Sequence, residues 1–427
     1  MAREMRKENN GRMLTKKGAA TRSGILDAAH EVFRDTGYYA SSISEITRRA
    51  KVSLATFYQY FKNKEQVFQE LNDLIIERFL QKAENLNLDG LDFDERLHNV
   101  IQLLYQHVKN NLAFHRILGE SELIDRVTLT YYEIIARYLR GFLRKETISG
   151  NIRSLDPNII AYGMIGICYL NSLNWGEPKE NLTENKIIDL MAELVMNGIS
   201  GDAPWRRPAG WNLLSLPEAV PLRSDSEELL TKGEKTTQMI LDAAEKIFGR
   251  YGINRAGIAE ITREAGVALG TFYVHFASKA ELVEGYVKYI NRNIRREIER
   301  FSSQVHDRRD AERVGIIACY EFVRRHRQVY RIVPEFEMID KDVALWYYKK
   351  TASGYIVGLK DGMKKGELRK YPPLFLAHSL MGITHFIGLK WIIWGFHQEA
   401  ALFRKSLESN IDFVLWGLHP ARNKNIS

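Results

Sequence analysis

The sequence predicts an all-α protein in which one complete fold occurs twice. The five residues of Ile25–Ala29 return as Ile240–Ala244, an offset of 215 positions, and the same offset relates Phe61 to Phe276 without a gap. Apolar residues recur with the period of about 3.6 that a helix requires, and the alternation typical of strands is nearly absent. A repeat this long exceeds the unit of a solenoid or a propeller, so it indicates duplication of a whole fold.

Length and composition fit two globular halves. The chain has 427 residues, of which 45% are hydrophobic and 27% charged, so each half can bury a core of its own. The net charge of +8 favours an anionic partner, but charge alone does not separate DNA from a membrane surface. Cys168 and Cys319 do not correspond between the copies, which favours a reducing compartment. No leader and no run near the roughly 18 apolar residues of a membrane helix are found, so we expect a cytoplasmic protein without a membrane partner.

The start of each copy is predicted from its caps and its apolar spacing. Residues 1–20 are polar and basic with little periodicity, and they predict a flexible arm. An apolar stripe that starts at Ile25 predicts a first helix, which ends at Gly37. Ser42 with Glu45 three residues later has the arrangement of a capping box, and it predicts the start of a second helix.

Further helices follow in the same half. The segment Lys51–Ser53 interrupts the second helix, and Leu54–Phe61 predicts a short third one. Asn63 is a favourable N-cap for a longer fourth helix. Beyond it, residues 95–200 have the spacing of further amphipathic helices. Prolines and glycines cluster between 201 and 231 and predict a linker, after which the first pattern restarts.

Two short helices joined by a three-residue turn, with one helix before them, form a helix-turn-helix unit. Phe57 and Phe61 are spaced i, i+4 and are expected to anchor the last of these helices inward. Thr56, Tyr58 and Tyr60 are then expected to face outward, where the helix can enter a major groove.

These residues resemble the DNA-binding domain of TetR-type transcriptional regulators. The resemblance runs from Ser42 to Glu65, and in the second copy from Ile258 to Lys279. It implies two fused TetR-like units, each with an N-terminal three-helix helix-turn-helix domain and a larger helical regulatory domain. In order, the implied regions are an arm over 1–20, a DNA-binding domain over 21–66, a regulatory and dimerisation domain over 67–200, a linker over 201–231, a second DNA-binding domain over 232–281 and a second regulatory and dimerisation domain over 282–420.

Carried over position by position, the resemblance implies DNA-binding residues in both copies. Those of the first copy are Ser42, Thr47, Ser53, Ala55, Thr56, Tyr58, Tyr60 and Lys64. Those of the second are Thr262, Ala268, Gly270, Thr271, Tyr273, His275 and Lys279. Ser42, Thr47 and Lys64 would approach phosphates, and the residues after the turn would line the recognition helix. Lys51 stands where the family usually has glycine, and a non-glycine residue with positive φ costs about 1 kcal/mol there.

Aromatic residues of the regulatory parts are candidates for lining a ligand cavity, although such residues more often form ordinary core. The candidates are Tyr105, Phe114, Tyr131, Tyr162, Tyr320, Phe336, Trp346 and Tyr347. The histidines show no ligand spacing with cysteine, so neither a metal nor a cofactor is expected. The sequence has no nucleophile motif, phosphate loop or paired catalytic carboxylates, so an enzyme is not expected.

The sequence therefore favours a sequence-specific DNA-binding transcriptional regulator, a ligand-responsive repressor that acts as an intramolecular pseudo-dimer. Its expected partners are a double-stranded DNA operator and a small-molecule inducer of unknown identity; a further homodimer stays open. One alternative is an architectural or activating DNA-binding factor without an inducer. Another is a helical ligand-binding protein that uses the helix-turn-helix only as a scaffold.

The pseudo-dimer requires a bundle that joins the two halves. The last two helices of each half are apolar and rich in small residues. We expect this bundle to come from 157–174 with 184–199 and from 372–395 with 400–418.

Overall fold

The computed structural model describes residues 14–118, 122–173, 182–206, 231–327, 341–394 and 400–420. Over these ranges the chain is helical, with one isolated bridge between Ser200 and Leu368. The all-α prediction is confirmed.

The helices described in the second half follow the order of those in the first, and the stretch that would correspond to Leu112–Ile117 falls largely outside the described residues. Those of the first half are α1 (Lys16–Thr36), α2 (Ile43–Ala50), α3 (Leu54–Tyr60), α4 (Lys64–Glu84), α5 (Phe93–Asn110), α6 (Leu112–Ile117), α7 (Glu122–Ile148), α8 (Pro157–Ser172) and α9 (Glu184–Asn197). Those of the second half are α10 (Lys232–Arg255), α11 (Ile258–Ala265), α12 (Leu269–His275), α13 (Lys279–Ser302), α14 (Arg308–Arg325), α15 (Lys341–Lys364), α16 (Pro373–Gly388) with a π-helical extension Leu389–Ile393, and α17 (Ala400–Trp416).

The first helix begins earlier than the sequence predicted. The side chain of Thr15 accepts a hydrogen bond from the backbone N–H of Gly18 at 3.1 Å and caps α1 at Lys16. The flexible arm predicted over 1–20 is therefore wrong for residues 16–20, because the cap extends the helix toward the N-terminus. Residues 1–13 lie outside the described part of the chain.

The turn between α2 and α3 contains the strained residue that the sequence predicted. Lys51 has φ 55° and ψ 39°, the left-handed conformation, and is the one non-glycine residue with positive φ in the described ranges. Its position in the second copy is Gly266, with φ 68° and ψ 28°. The same turn therefore forms with and without a Cβ.

The chain divides into two compact units, Met1–Asn85 with Asn111–Ile134 and Leu86–Asn110 with Ile135–Ser427. In the first unit the core is aromatic and joins α4 to α6 and α7. The ring centroid of Phe114 lies 5.3 Å from that of Phe68 and 5.8 Å from that of Tyr131. The ring centroid of Phe33 on α1 lies 5.9 Å from that of Phe68, so the first helix of the DNA-binding domain shares this core with segments beyond residue 66.

The second unit contains the packing between α8 of the first half and α16 of the second. Every residue of α8 from Ile159 to Ser172 is buried, which is expected of a helix that is apolar all round. An ideal Cβ on Gly166 would lie 2.1 Å from the carbonyl oxygen of Gly382, and one on Gly382 would lie 2.1 Å from that of Gly166. The two helices thus cross in direct backbone contact.

The segment 199–206, here called the strap, leads from the first half and is fixed against the second. The N–H of Ser200 donates to Leu415 O at 2.9 Å, and the N–H of Gly201 donates to Glu367 O at 2.8 Å. Arg309, which is 2% exposed, donates to Ala203 O at 2.9 Å. The predicted linker is therefore anchored at its start, while 207–230 lie outside the described residues.

The donors of the buried Arg309 guanidinium are paired. Its Nε and Nη2 atoms bond the two carboxylate oxygens of Asp307 at 2.8 and 2.6 Å. Its guanidinium carbon also lies 5.3 Å from the ring centroid of Trp205, whose indole N–H donates to Asp310.

One apolar stretch departs from the sequence prediction. Among the described residues, Pro373–Ile393 is long and apolar enough to cross a membrane, with a mean hydropathy of 1.2 in its most apolar window. The prediction that no segment approaches this length is therefore wrong. However, 78% of that window is buried inside the fold, where α16 packs against α8.

We expect Gly166→Ala to lower the free energy of unfolding by about 1–3 kcal/mol, because its Cβ would overlap the carbonyl of Gly382 and force the helices apart. Gly141→Ala on α7 is the matched control: no atom lies within 4 Å of the position of its Cβ, and alanine is the better helix former. Urea unfolding of both variants tests this. Equal stability of the two would contradict the close crossing.

A reciprocal exchange tests the strained turn. Lys51→Gly should raise the free energy of unfolding by up to about 1 kcal/mol, because glycine adopts positive φ without strain. Gly266→Ala should lower it by a similar amount, since no atom would contact the added Cβ and only backbone strain remains. Thermal unfolding monitored by circular dichroism measures both. Shifts of the same sign in the two variants would rule out this explanation.

Candidate nucleic-acid interface

The recognition helices α3 and α12 are held inward by paired phenylalanines, as predicted. Phe57 and Phe61 are 0% and 1% exposed, and their ring centroids lie 5.7 Å apart. The rings of Phe272 and Phe276 lie 5.8 Å apart in the second copy. This anchoring fixes which side of each helix remains accessible.

Most of the predicted recognition residues lie on that accessible side. Tyr58 is 54% exposed and Tyr273 is 53% exposed. Thr56 and Thr271 are half-buried at the edge of the same faces. The exposed small residues beside them are Ser53, Ala55, Ala268 and Gly270.

Two predicted serines in the first copy also cap helices. The Ser42 hydroxyl accepts from the N–H of Glu45 at 3.1 Å, and that of Ser53 accepts from the N–H of Thr56 at 3.0 Å. As an acceptor in its cap, Ser42 can still donate its own proton to a phosphate. Ala268 offers no such cap to α12, so the two motifs differ at this position.

The two threonines before the turns have their hydroxyls bonded within their own helices, and their contact with DNA stays a prediction. Thr47 and Thr262 are each 5% exposed, and their hydroxyls donate to Ser44 O and Ala259 O within their own helices. Both hydroxyls are directed into the motif because these positions fall on the buried face of α2 and α11. This placement does not favour the phosphate contact that the resemblance implied.

Tyr60 and His275 lie where each recognition helix meets the first helix of its own half, α1 for Tyr60 and α10 for His275. An ideal Cβ on Gly18 would lie 3.4 Å from the Tyr60 hydroxyl oxygen. The Nδ1 atom of His275 lies 2.9 Å from Thr237 Oγ1, within hydrogen-bond distance. Both side chains are half-buried, so they support the position of the recognition helix.

The ammonium groups of Lys64 and Lys279 donate to backbone carbonyls that precede the motif. The ammonium group of Lys64 donates to the carbonyl oxygens of Tyr38 and Ser41 at 2.5 and 2.8 Å, and it lies 4.4 Å from the Tyr38 ring centroid. Lys279 donates to Asn254 O at 3.1 Å. The phosphate contact expected of these lysines stays a prediction. Their observed bonds are to the loop after α1 and, in the second copy, to the last turn of α10.

Sequence reasoning missed an exposed arginine that both copies carry before the turn. The side chain of Arg48 is 76% exposed, and Arg263 is exposed at the same position of α11. The neighbouring Arg49 instead donates to Asp35 at 2.7 Å and holds the pKa of that carboxyl below its ordinary value. The signal was the recurrence of Arg48 beside the repeated Glu-Ile-Thr sequence.

The candidate pocket residues of the first half belong to two different compact units. Phe114 and Tyr131 belong to the first compact unit, whereas Tyr105 and Tyr162 belong to the second. Tyr131 is fully buried, with its hydroxyl 3.2 Å from His115 Nε2, and burial raises its pKa well above the ordinary value. These side chains are core residues in the structure described.

The second-half candidates are also largely buried. The hydroxyl of Tyr320 accepts a hydrogen bond from Asn410 Nδ2 at 2.9 Å. Tyr347 is 8% exposed, and the half-buried Trp346 has Lys288 Nζ 5.8 Å from its ring centroid. Phe336 lies outside the described residues.

An open surface groove of about 400 Å³ lies on α5. Its lining is mostly polar and contains none of the aromatic candidates: Leu91, Asp94, Glu95, His98 and Asn99. In the described ranges, no three His, Cys, Asp or Glu side chains are grouped so that they could hold a metal ion.

Comparison with known proteins agrees with the duplicated motif. The family described as bacterial regulatory proteins, tetR family, matches residues 25–71 and again 240–286. The chain is 26% identical over 185 residues to an HTH-type transcriptional regulator of Bacillus subtilis named YhgD, which covers 42% of this chain and 96% of the relative. It is 28% identical over 183 residues to the fatty acid metabolism regulator protein of the same species, covering 41% and 93%.

Among solved structures, the transcriptional regulator FadR from Bacillus subtilis in complex with stearoyl-CoA aligns with a TM-score of 0.34 at 23% identity. That alignment covers 40% of this chain and 96% of that one. Each relative thus corresponds in length to one half of this chain. The repeated family match and the relatives of half length support a DNA-binding regulator. This chain belongs to the TetR family, as a tandem fusion of two TetR-type units.

Proposed function

We propose that this chain is a ligand-responsive transcriptional repressor of the cytoplasm that binds one DNA operator with both of its helix-turn-helix units. The observation that carries the proposal is the presence of two recognition helices on one chain, each anchored by buried phenylalanines and each with an exposed tyrosine, Tyr58 or Tyr273. The regions 21–66 and 232–281 are the proposed DNA-binding domains, and 67–200 and 282–420 are the proposed regulatory ones.

The pairing of α8 with α16 supports the pseudo-dimer. These helices occupy equivalent places in the two halves, and their backbones touch at Gly166 and Gly382. A C2 dimer of single TetR-type units would need two copies of one such surface. Here a single chain supplies both sides, so we propose that the second DNA-binding unit comes from the same molecule.

Exposed cations near the turns favour a nucleic-acid partner. Arg48 and Arg263 directly follow the Glu-Ile-Thr sequence that the two copies share, and both are exposed. Lys51 is exposed in the turn of the first copy. Arginine and lysine at such positions neutralise phosphates and release counterions, which makes affinity depend on salt.

The proposed effector acts by binding the conformation that does not fit DNA. In the first unit, α4 follows the recognition helix and its Phe68 stacks on Phe114 of α6, 5.3 Å between centroids. A shift of α6 or α7 would therefore be transmitted to α4 and to the motif that α4 supports. A relative named for fatty acid metabolism makes acyl compounds the first class of effector to test.

Salt-titrated binding of the full chain to the DNA upstream of its gene tests the proposal. We expect the logarithm of the binding constant to fall linearly with the logarithm of salt concentration. Arg48→Ala and Arg263→Ala should each reduce this slope by about 1, as expected when one phosphate contact is lost. Lys360→Ala, an exposed lysine on α15, is the control and should leave the slope unchanged. Binding that does not respond to salt would exclude a DNA-binding role for these motifs.

Calorimetry with an effector that releases the chain from DNA tests the regulatory part. The two regulatory halves differ in sequence, so we expect one site per chain or two sites of distinct affinity. Two equal and independent sites would contradict this expectation. Failure of acyl, aromatic and polycyclic compounds to release a salt-sensitive complex would favour the architectural factor without an inducer.

A further inference from the structure

The second recognition helix presents an apolar side chain that the fold does not use. Val274 lies on α12 and is 81% exposed, more than any other large hydrophobic residue of the two recognition helices in the described structure. Leu269 and Tyr273 on the same helix are about half exposed, at 50% and 53%. Val274 therefore contributes little to the core, and its side chain is available to a surface outside the chain.

Gly270 lies four residues before Val274 and therefore on the same face of α12. It is exposed, its φ is not positive, and no atom lies within 4 Å of the position of its Cβ. Glycine inside a helix lowers stability relative to alanine, and nothing in the fold requires it here. The absence of a side chain instead lets an external surface approach the helix backbone beside Val274.

The first recognition helix has a different pair at these two positions. Ala55 and Gln59 replace Gly270 and Val274, and both are exposed. On α3, Ala55 therefore adds a methyl group that Gly270 lacks. Gln59 has an amide where Val274 of α12 has an isopropyl group. The exposed faces differ in chemistry although the buried anchors are the same.

We propose that the two recognition helices read different bases at the equivalent step of their half-sites. Val274 packs on the C5-methyl group of a thymine, which the bare backbone at Gly270 allows to approach closely. Gln59 takes an adenine, whose N6 and N7 atoms match a side-chain amide. The operator is then a pair of unlike half-sites. This inference rests on the proposed function and specifies the DNA partner.

The exposed face of α12 contacts the major groove of DNA, because α12 is the recognition helix of a helix-turn-helix. Thymine is the base that offers an apolar group there, and it is the one chemical partner in the groove for a branched aliphatic side chain. The neighbouring Tyr273 supplies a hydroxyl at the same exposed surface, suitable for the phosphate beside the base.

Uracil substitution gives the sharpest test, because it removes only the thymine methyl group. An operator selected from random duplexes by the full chain is resynthesised with each thymine in turn replaced by uracil. One thymine of one half-site should show about fourfold weaker binding, which corresponds to about 0.8 kcal/mol for one buried methyl group. In Val274→Ala the same substitution should have less than a twofold effect, and no thymine at the equivalent step of the other half-site should respond in either protein.

Exchange variants test the specificity itself. The double variant Ala55→Gly with Gln59→Val should make the selected half-sites alike, both with thymine at this step. Val274→Gln should shift the second half-site toward adenine. Val357→Gln on α15, an exchange at another valine that is 71% exposed, is the matched control and should select the original operator. Circular dichroism of each variant verifies that it is folded.

The outcomes separate this inference from the proposed function. Salt-sensitive binding with no uracil-sensitive thymine, or with equal sensitivity in Val274→Ala, would overturn the unlike readout and leave the DNA-binding regulator intact. Selection of two identical half-sites by the unaltered chain would also overturn the unlike readout and leave the DNA-binding regulator intact. Absence of any salt-sensitive DNA binding would refute both.

Discussion

The crossing of α8 and α16 depends on two residues that have no side chain. At Gly166 and Gly382 the two helices approach until backbone atoms touch, and a Cβ on either would overlap the carbonyl of the other. This contact removes the last exposed face of α8, whose remaining surface is covered by other helices of the second unit. The first half of the sequence therefore contains a helix whose burial is completed by the second half.

Fusion has allowed this packing to lose its symmetry. In a homodimer every contact across a two-fold axis occurs twice. Here Asn171 donates to Ser379 at 2.9 Å. The offset of 216 that relates Pro157 to Pro373 at the starts of the two helices places Ile387 and Gly163 at the corresponding positions. That hydrogen bond occurs once, with no counterpart in the other direction. The two sides of the crossing have diverged because they are encoded separately.

Local features of the motif could be predicted from the sequence because they depend on neighbours in the chain. The spacing of Phe57 and Phe61 determines which face of a short helix is buried. The position of Lys51 between two caps requires a left-handed residue in the turn. In both cases the determining residues are at most a few positions apart, so the repeat and the helical period were sufficient.

Features that depend on distant segments were not predicted. The bonds of Lys64 to the carbonyls of Tyr38 and Ser41 were not foreseen, because the fold of the loop brings these carbonyls near. The burial of Arg309 beneath the strap depends on Ala203, about a hundred residues earlier. The burial of Thr47 follows from the rotation of α2 against its neighbours. No spacing rule in a single sequence contains these tertiary distances.

The strap also makes the contact between α8 and α16 independent of the protein concentration. Because residues 199–206 join the two halves by hydrogen bonds and by a covalent chain, α8 meets α16 at a local concentration that does not change on dilution. A TetR-type protein of separate subunits falls apart as its amount drops, and its stability depends on protomer concentration. In this chain that crossing does not require a second molecule. For the proposed pseudo-dimer, the occupancy of a DNA target would then rise with the first power of the chain's concentration.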